Sequence, residues 1–172
     1  MSSKVAHQIK GRNVANDVFI TPLELAKKHI EMVESSADDI WLDPCKNSGA
    51  YYNQFPTDNK DYCEILENKD FFDYNKKVDI IISNPPYSIM DKWINKNIEL
   101  KPRIIGMLIS IGNLTTKRIA LLENAGYGLT KMKMMKVYEW FGMSAMVIFE
   151  KGKESIIEYD RTVYYDNSDE AT

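Results

Sequence analysis

Residues 79–88 read Asp-Ile-Ile-Ile-Ser-Asn-Pro-Pro-Tyr-Ser. An apolar run without polar alternation predicts a strand buried on both faces, and such a strand needs cover from a layer on each side. The run stops on Asn84-Pro85-Pro86-Tyr87. Proline has no amide proton to donate to a sheet ladder and lies at a strand's end, so a turn accounts for Pro85 and Pro86. It does not account for Asn84 or Tyr87.

The rest of the chain supplies the other layers. Thr21-Pro22 opens a predicted helix, with Thr as N-cap and Pro in the first helical position, and with Leu23, Ala26, Ile30 and Val33 as its apolar face. Further strands are predicted at 39–45, 62–65 and 103–110, with a closing pair at 129–138 and 144–151. Residues 51–55 begin a helix, 88–100 carry helical spacing at Ile89, Trp93 and Ile98, and 115–128 read as a capped helix ending at glycine. Strands alternating with helices make this an α/β fold: a mostly parallel sheet with helices on both faces. The last two strands have no helix between them, which predicts an antiparallel end. Residues 17–152 form one domain, after a polar basic arm at 1–16 and before a C-terminal tail at 153–172. Trp41 reads as core, and Trp140 as core or rim packing.

Composition bounds the partners. A net charge of −3 gives no global attraction to polyanions, so a nucleic acid would need a local patch. Lys4, His7, Lys10 and Arg12 make one candidate, and Lys131, Lys133 and Lys136 another; each taken alone reads as a solvated face. Cys45 and Cys63 have neither CxxC spacing nor the number of a disulfide framework, which predicts a reduced, cytoplasmic protein. His7 and His29 are far apart, and no Cys/His cluster suggests a metal. The longest apolar stretch, near 104–111, is too short to span a bilayer.

In an open α/β sheet, ligands bind beyond the carboxyl ends of the strands, near the switch in strand order. Asp43, Glu64 and Asn84 close predicted strands there, and Asp70 follows a short link. The loop after Asp43-Pro44 holds one glycine, Gly49, and neither G-x-G-x-x-G nor a phosphate-binding G-x-x-x-x-G-K-[ST] is present. A cofactor with a ribose and an amino-acid end but no phosphate suits such a rim, and S-adenosylmethionine is one. A carboxylate such as Glu64 can accept two ribose hydroxyls.

The order Thr21-Pro22, Asp43-Pro44, Gly49, Glu64, Asp70-Phe71 and Asn84-Pro85-Pro86-Tyr87 resembles that of amino-group methyltransferases, particularly DNA adenine-N6 methyltransferases, over about residues 16–150. The resemblance implies a Rossmann-like, S-adenosylmethionine-dependent fold and a nucleic-acid substrate, with DNA favoured over RNA and over protein glutamine. Asn84, Pro85, Pro86 and Tyr87 would then be catalytic, gripping a planar amine. Phe19, Thr21, Asp43, Pro44, Gly49, Glu64, Ile65, Asp70, Phe71 and Asn84 would bind the cofactor, with Ile65 and Phe71 around its adenine and Phe19 and Thr21 over its methionine end. Core packing explains Ile65 equally well, and a helix cap explains Thr21. The pattern departs at Asn47, where the family's loop has glycine; Asn tolerates positive φ better than most residues. The rival classes are a cofactor-binding pseudoenzyme or regulatory subunit, and a nucleotide-binding module without transfer chemistry. The expected assembly is with a partner subunit that adds target selection, or as a homodimer.

Overall fold

A computed structural model describes residues 19–137 and 142–162; the arm at 1–16 and Trp140 lie outside the described residues. Six strands form one sheet: β1 (Trp41–Asp43), β2 (Lys60–Tyr62), β3 (Ile80–Ser83), β4 (Ile104–Ser110), β5 (Tyr127–Met135) and β6 (Ser144–Lys151). Their order is β2-β1-β3-β4-β6-β5. The first four run parallel, and β6 is antiparallel to both β4 and β5, as the missing helix between the last two predicted. Among the described residues, three α-helices accompany them: α1 (Leu23–Ile30), α2 (Met90–Leu100) and α3 (Thr116–Asn124).

Consecutive strand residues point to opposite faces, so the isoleucine run divides between two cores. Ile80, Ile82, Ile104 and Ile148 join Trp41 against Ala26 and Ile30 of α1. Ile81, Ile105, Met107, Val147 and Phe149 pack on the other face against Trp93 and Ile94 of α2 and Ile119 and Leu122 of α3. Helices therefore cover both faces. From β1 the chain moves outward to β2, then returns to the far side of β1 as β3. The switch in strand order falls between β1 and β3, whose carboxyl ends carry Asp43 and Ser83-Asn84.

Several local expectations are corrected. The helix predicted at 51–55 is a single 3-10 turn, Tyr52–Gln54; Pro56 holds Phe55 out of the helical region, at φ −59° and ψ 135°. The strand expected at 62–65 lies earlier, at Lys60–Tyr62. Cys63 only continues toward an isolated bridge between Glu64 and Lys69. Helix α1 starts at Leu23, Pro22 holds its cap position, and no side chain caps it, so Thr21 is not the N-cap. Leu23, placed on the apolar face by its spacing, is 65% exposed; the buried positions of α1 are Ala26, His29 and Ile30. Helix α3 is capped as expected: the Thr115 hydroxyl accepts from the Arg118 amide at 3.3 Å. The turn after it uses Gly126 at φ 89°.

Residues 153–162, expected to belong to a tail, pack along β5 instead. Ile156 donates its amide to the Leu129 carbonyl at 2.8 Å, and Leu129 donates to the Ser155 hydroxyl at 2.9 Å. Ser155 and Tyr159 both donate hydroxyls to Glu123. The segment thus pairs the outward backbone groups of Leu129 on a sheet edge that would otherwise expose them.

Candidate active site

At the switch point, a cavity of about 550 Å3 opens between the carboxyl ends of the strands, a volume within the usual range for a small-molecule site. Its far wall is the loop after β1 together with the turn after β2. Its near wall is Asn84-Pro85-Pro86, and Phe19 and Thr21 lie over one side.

The far wall is held from below by Asp43, which is fully buried. Its Oδ1 accepts from the Cys45 amide at 3.2 Å and from the Ser83 hydroxyl at 2.8 Å, and its Oδ2 accepts from the Tyr52 amide at 3.2 Å. One carboxylate therefore ties both ends of the 44–52 loop to β3. Burial pushes its pKa up to about 6 against the pull of these three donors. Asp43, Pro44 and Gly49 lie behind the wall and do not line the cavity. Ser83 had no sequence signal, because a serine ending an apolar strand looks like any other strand end.

Within the loop, Asn47 takes φ 47° and Gly49 φ 84°. Asn47 thus adopts the left-handed conformation that glycine would otherwise supply, and its amide donates to Glu64 Oε2 at 2.8 Å. Glu64 Oε1 accepts from the Leu66 amide at 3.1 Å, capping the turn Ile65–Glu67. A second tie runs from Lys46 Nζ to Glu67 Oε1 at 2.5 Å; Tyr62 donates its hydroxyl to Glu67 Oε2 at 2.8 Å, and Lys46 and Lys69 both sit over the Tyr62 ring. Each Glu64 oxygen keeps a lone pair after these bonds, because a carboxylate oxygen accepts twice.

Ile65 is 71% exposed and lines the cavity, which removes its core-packing alternative. Phe71 behaves in the opposite way. It is 4% exposed, its ring lies 4.5 Å from that of Trp93, and it does not line the cavity. The expected pairing of Ile65 and Phe71 around one flat group is corrected accordingly. Asp70 also stays outside, accepting from the Phe72 amide at 2.9 Å to cap the turn Phe71–Asp73.

On the near wall, Asn84 donates its side-chain amide to the Phe19 carbonyl at 3.3 Å and to the Thr21 hydroxyl at 3.2 Å. Tyr87 does not itself line the cavity; it begins a 3-10 turn leading into α2, and its ring lies 6.2 Å from that of Phe19 with the planes 29° apart. Among the described residues, no group of three or more His, Cys, Asp or Glu side chains could hold a metal ion, and no helix is long and apolar enough to cross a membrane.

No family model and no curated relative matches this sequence. Solved structures match its fold. A Pyrococcus horikoshii protein assigned as an RNA methyltransferase aligns with a TM-score of 0.65 at 14% identity, over 83% of this chain and 90% of that one. The E. cuniculi Mtq2-Trm112 complex, which methylates the eRF1 translation termination factor, aligns with a TM-score of 0.56 at 17% identity, over 80% of this chain and 99% of that one. A modification subunit of a type I restriction enzyme from Vibrio vulnificus aligns at 0.56 and 12% identity, over 88% of this chain and 49% of the subunit. The fold is that of the Rossmann-like methyltransferases.

Within this methyltransferase fold, one buried residue that sequence reasoning passed over supports the cavity from beneath. His29 of α1 is fully buried, with Nε2 3.2 Å from the Val147 carbonyl and Nδ1 2.9 Å from the Tyr51 hydroxyl. The carbonyl can only accept, so Nε2 carries the proton and Tyr51 donates to Nδ1. Tyr51 is part of the cavity lining. Burial depresses the His29 pKa from 6.5 to about 4. The unfolded chain therefore binds a proton that the folded chain refuses, and this contribution to stability is lost as pH falls from 6.5 toward 4. His29→Gln keeps a donor and an acceptor and does not titrate. The stability difference between wild type and this variant should shrink by about 2 kcal/mol from pH 7 to pH 5 in urea unfolding. A difference independent of pH would contradict a neutral, buried His29.

Proposed function

We propose that this protein is an S-adenosylmethionine-dependent methyltransferase acting on the exocyclic N6 of adenine, with DNA as the favoured substrate. The carrying observation is that Glu64, Ile65, Asn84 and Pro85 all line one cavity at the switch point. The residues fit the cofactor in kind. Glu64 has lone pairs left for ribose hydroxyls, Ile65 offers an exposed apolar surface for a flat base, and the tied loop at 46–49 lies beside them. Asp43 acts by holding that loop.

When bound, S-adenosylmethionine supplies an electrophilic methyl group on a cationic sulfur. An exocyclic amine is a weak nucleophile because its lone pair is delocalised into the ring. Asn84 Oδ1 and the Pro85 carbonyl accept its two protons, drawing the nitrogen toward tetrahedral geometry and freeing the lone pair. Pro86 has no amide proton to compete near that carbonyl, and the fixed φ angles of the two prolines keep it aimed. Tyr87 stacks on the target ring, a contact of about 1–3 kcal/mol per base in single-strand binders. No strong base is needed, since the methylated nitrogen sheds its extra proton to solvent.

DNA is favoured because the motif order resembles adenine-N6 enzymes, and the likeness to a restriction-enzyme modification subunit is in keeping with it. A duplex target would have to be flipped out of its stack to reach such a cavity. Asn47 counts less toward the pseudoenzyme alternative, since its φ of 47° and its bond to Glu64 keep the loop in place without the missing glycine.

The deciding experiment offers labelled S-adenosylmethionine to DNA, RNA and protein pools and identifies the methylated nucleoside or side chain. N6-methyladenine in DNA is expected; label in RNA or glutamine would move the substrate, and label nowhere would leave a binding protein. Glu64→Ala should weaken cofactor affinity at least tenfold by calorimetry, since losing a charged acceptor costs about 1.5–3 kcal/mol. Unchanged affinity would remove Glu64 from the cofactor site.

A further inference from the structure

We infer that Thr21 is a positioning residue for Asn84: with the Phe19 carbonyl, it sets which end of the Asn84 carboxamide meets the target amine. The inference rests on the methyltransferase reading above. A carboxamide has two ends of nearly equal size on a terminal torsion with two broad minima, so its shape does not decide which end faces the cavity. Chemistry has to decide. An Asn84 turned the wrong way would present N–H groups to the protons of an amine and could accept neither.

Two acceptors make the choice. The Phe19 carbonyl can only accept, and it lies 3.3 Å from Nδ2. The Thr21 hydroxyl lies 3.2 Å from the same nitrogen, so each of its N–H groups has an acceptor. Oδ1 then occupies the opposite end of the carboxamide, with no hydrogen-bond partner among the described residues. Thr21 is 7% exposed, so water competes little for its hydroxyl, and that hydroxyl makes no capping bond to α1. The same short segment reaches the other end of the motif, since the Phe19 ring stacks near that of Tyr87. Residues 19–21 thus brace an Asn-Pro-Pro-Tyr turn that lies more than 60 residues away in the chain.

The test compares Thr21→Val, which keeps the shape and removes the acceptor, with Thr21→Ser, which keeps the acceptor. Thr21→Val should lower kcat for methyl transfer roughly tenfold while the affinity for S-adenosylmethionine, by calorimetry, stays within about twofold. Thr21→Ser should stay within about twofold of wild type in both. Solvent exchange of the Asn84 side-chain amide, followed by NMR and assigned through its loss in Asn84→Ala, should be at least fivefold faster in Thr21→Val than in wild type or Thr21→Ser. An unchanged kcat and exchange rate in Thr21→Val would overturn the assignment. So would weakened cofactor binding with kcat preserved at saturation, which would make Thr21 a cofactor contact. If wild type transfers no methyl group, the methyltransferase reading fails separately. The exchange rates still decide: protection lost in Thr21→Val upholds the brace, and protection retained overturns it.

Discussion

Asn84→Ala should reduce methyl transfer by at least about 10²–10³-fold in single-turnover assays, the scale on which removing one preorganised hydrogen-bonding group from an active site acts. The fold should survive. Asn84 is half-buried, and the bonds it gives up, at 3.2 and 3.3 Å, connect it to residues that other contacts already hold. Such bonds are worth about 0.5–1.5 kcal/mol each in net stability. Cofactor affinity should change far less than turnover, because the lost acceptor acts on the amine and acts most strongly as its nitrogen becomes tetrahedral. Full turnover in a correctly folded Asn84→Ala protein would remove the motif from the chemistry and return Asn-Pro-Pro-Tyr to the status of a turn.

The second large effect is expected at Asp43, and it should appear in binding rather than in stability. Asp43→Ala leaves the Cys45 and Tyr52 amides and the Ser83 hydroxyl without their acceptor, so the 44–52 loop loses its anchor at both ends. Calorimetry should show affinity for S-adenosylmethionine lowered more than about 100-fold, the result of a wall that no longer holds one shape. Global stability at pH 7 should fall by less than about 2 kcal/mol, because two effects oppose each other there. Lost hydrogen bonds destabilise the variant. Wild type, however, carries the cost of an ionised carboxylate with no exposure to water, about 3 kcal/mol for a pKa raised from 3.8 to about 6.

The pH dependence separates the two effects. A group whose folded pKa is raised contributes stability that is present below its unfolded pKa and is lost as pH rises through the folded one. The stability advantage of wild type over Asp43→Ala should therefore be largest near pH 4 and shrink on going to pH 7. This is opposite in sign to the His29 effect, so the two variants calibrate each other. A gap that widened from pH 4 to pH 7 would mean that Asp43 is stabilised as the anion.

The sequence by itself determined the architecture and the strand ends at which the cavity opens, because both are written in short-range rules. Three adjacent isoleucines must face both ways along a strand, so both faces needed cover. Two prolines had to end that strand, which put Asn84 at its carboxyl end. A closing strand pair without room for a helix had to turn antiparallel. Asn47 could take positive φ for reasons internal to its own side chain, and the glycine ending α3 was equally local.

Tertiary structure alone decided which side chains meet. Ile65 and Phe71 are both apolar residues in short turns after β2. Pattern does not distinguish a residue on the cavity wall from one buried against Trp93, and the difference arises from which way each capped turn faces. Thr21 before Pro22 has the local signature of a helix cap, yet its hydroxyl is engaged by a residue brought in by β3. The Ser83–Asp43 bond likewise exists because β1 and β3 are neighbours in the sheet although β2 lies between them in sequence. Strand order brings together groups 40 to 65 residues apart, and hydrogen bonding over that separation depends on packing that no local spacing encodes.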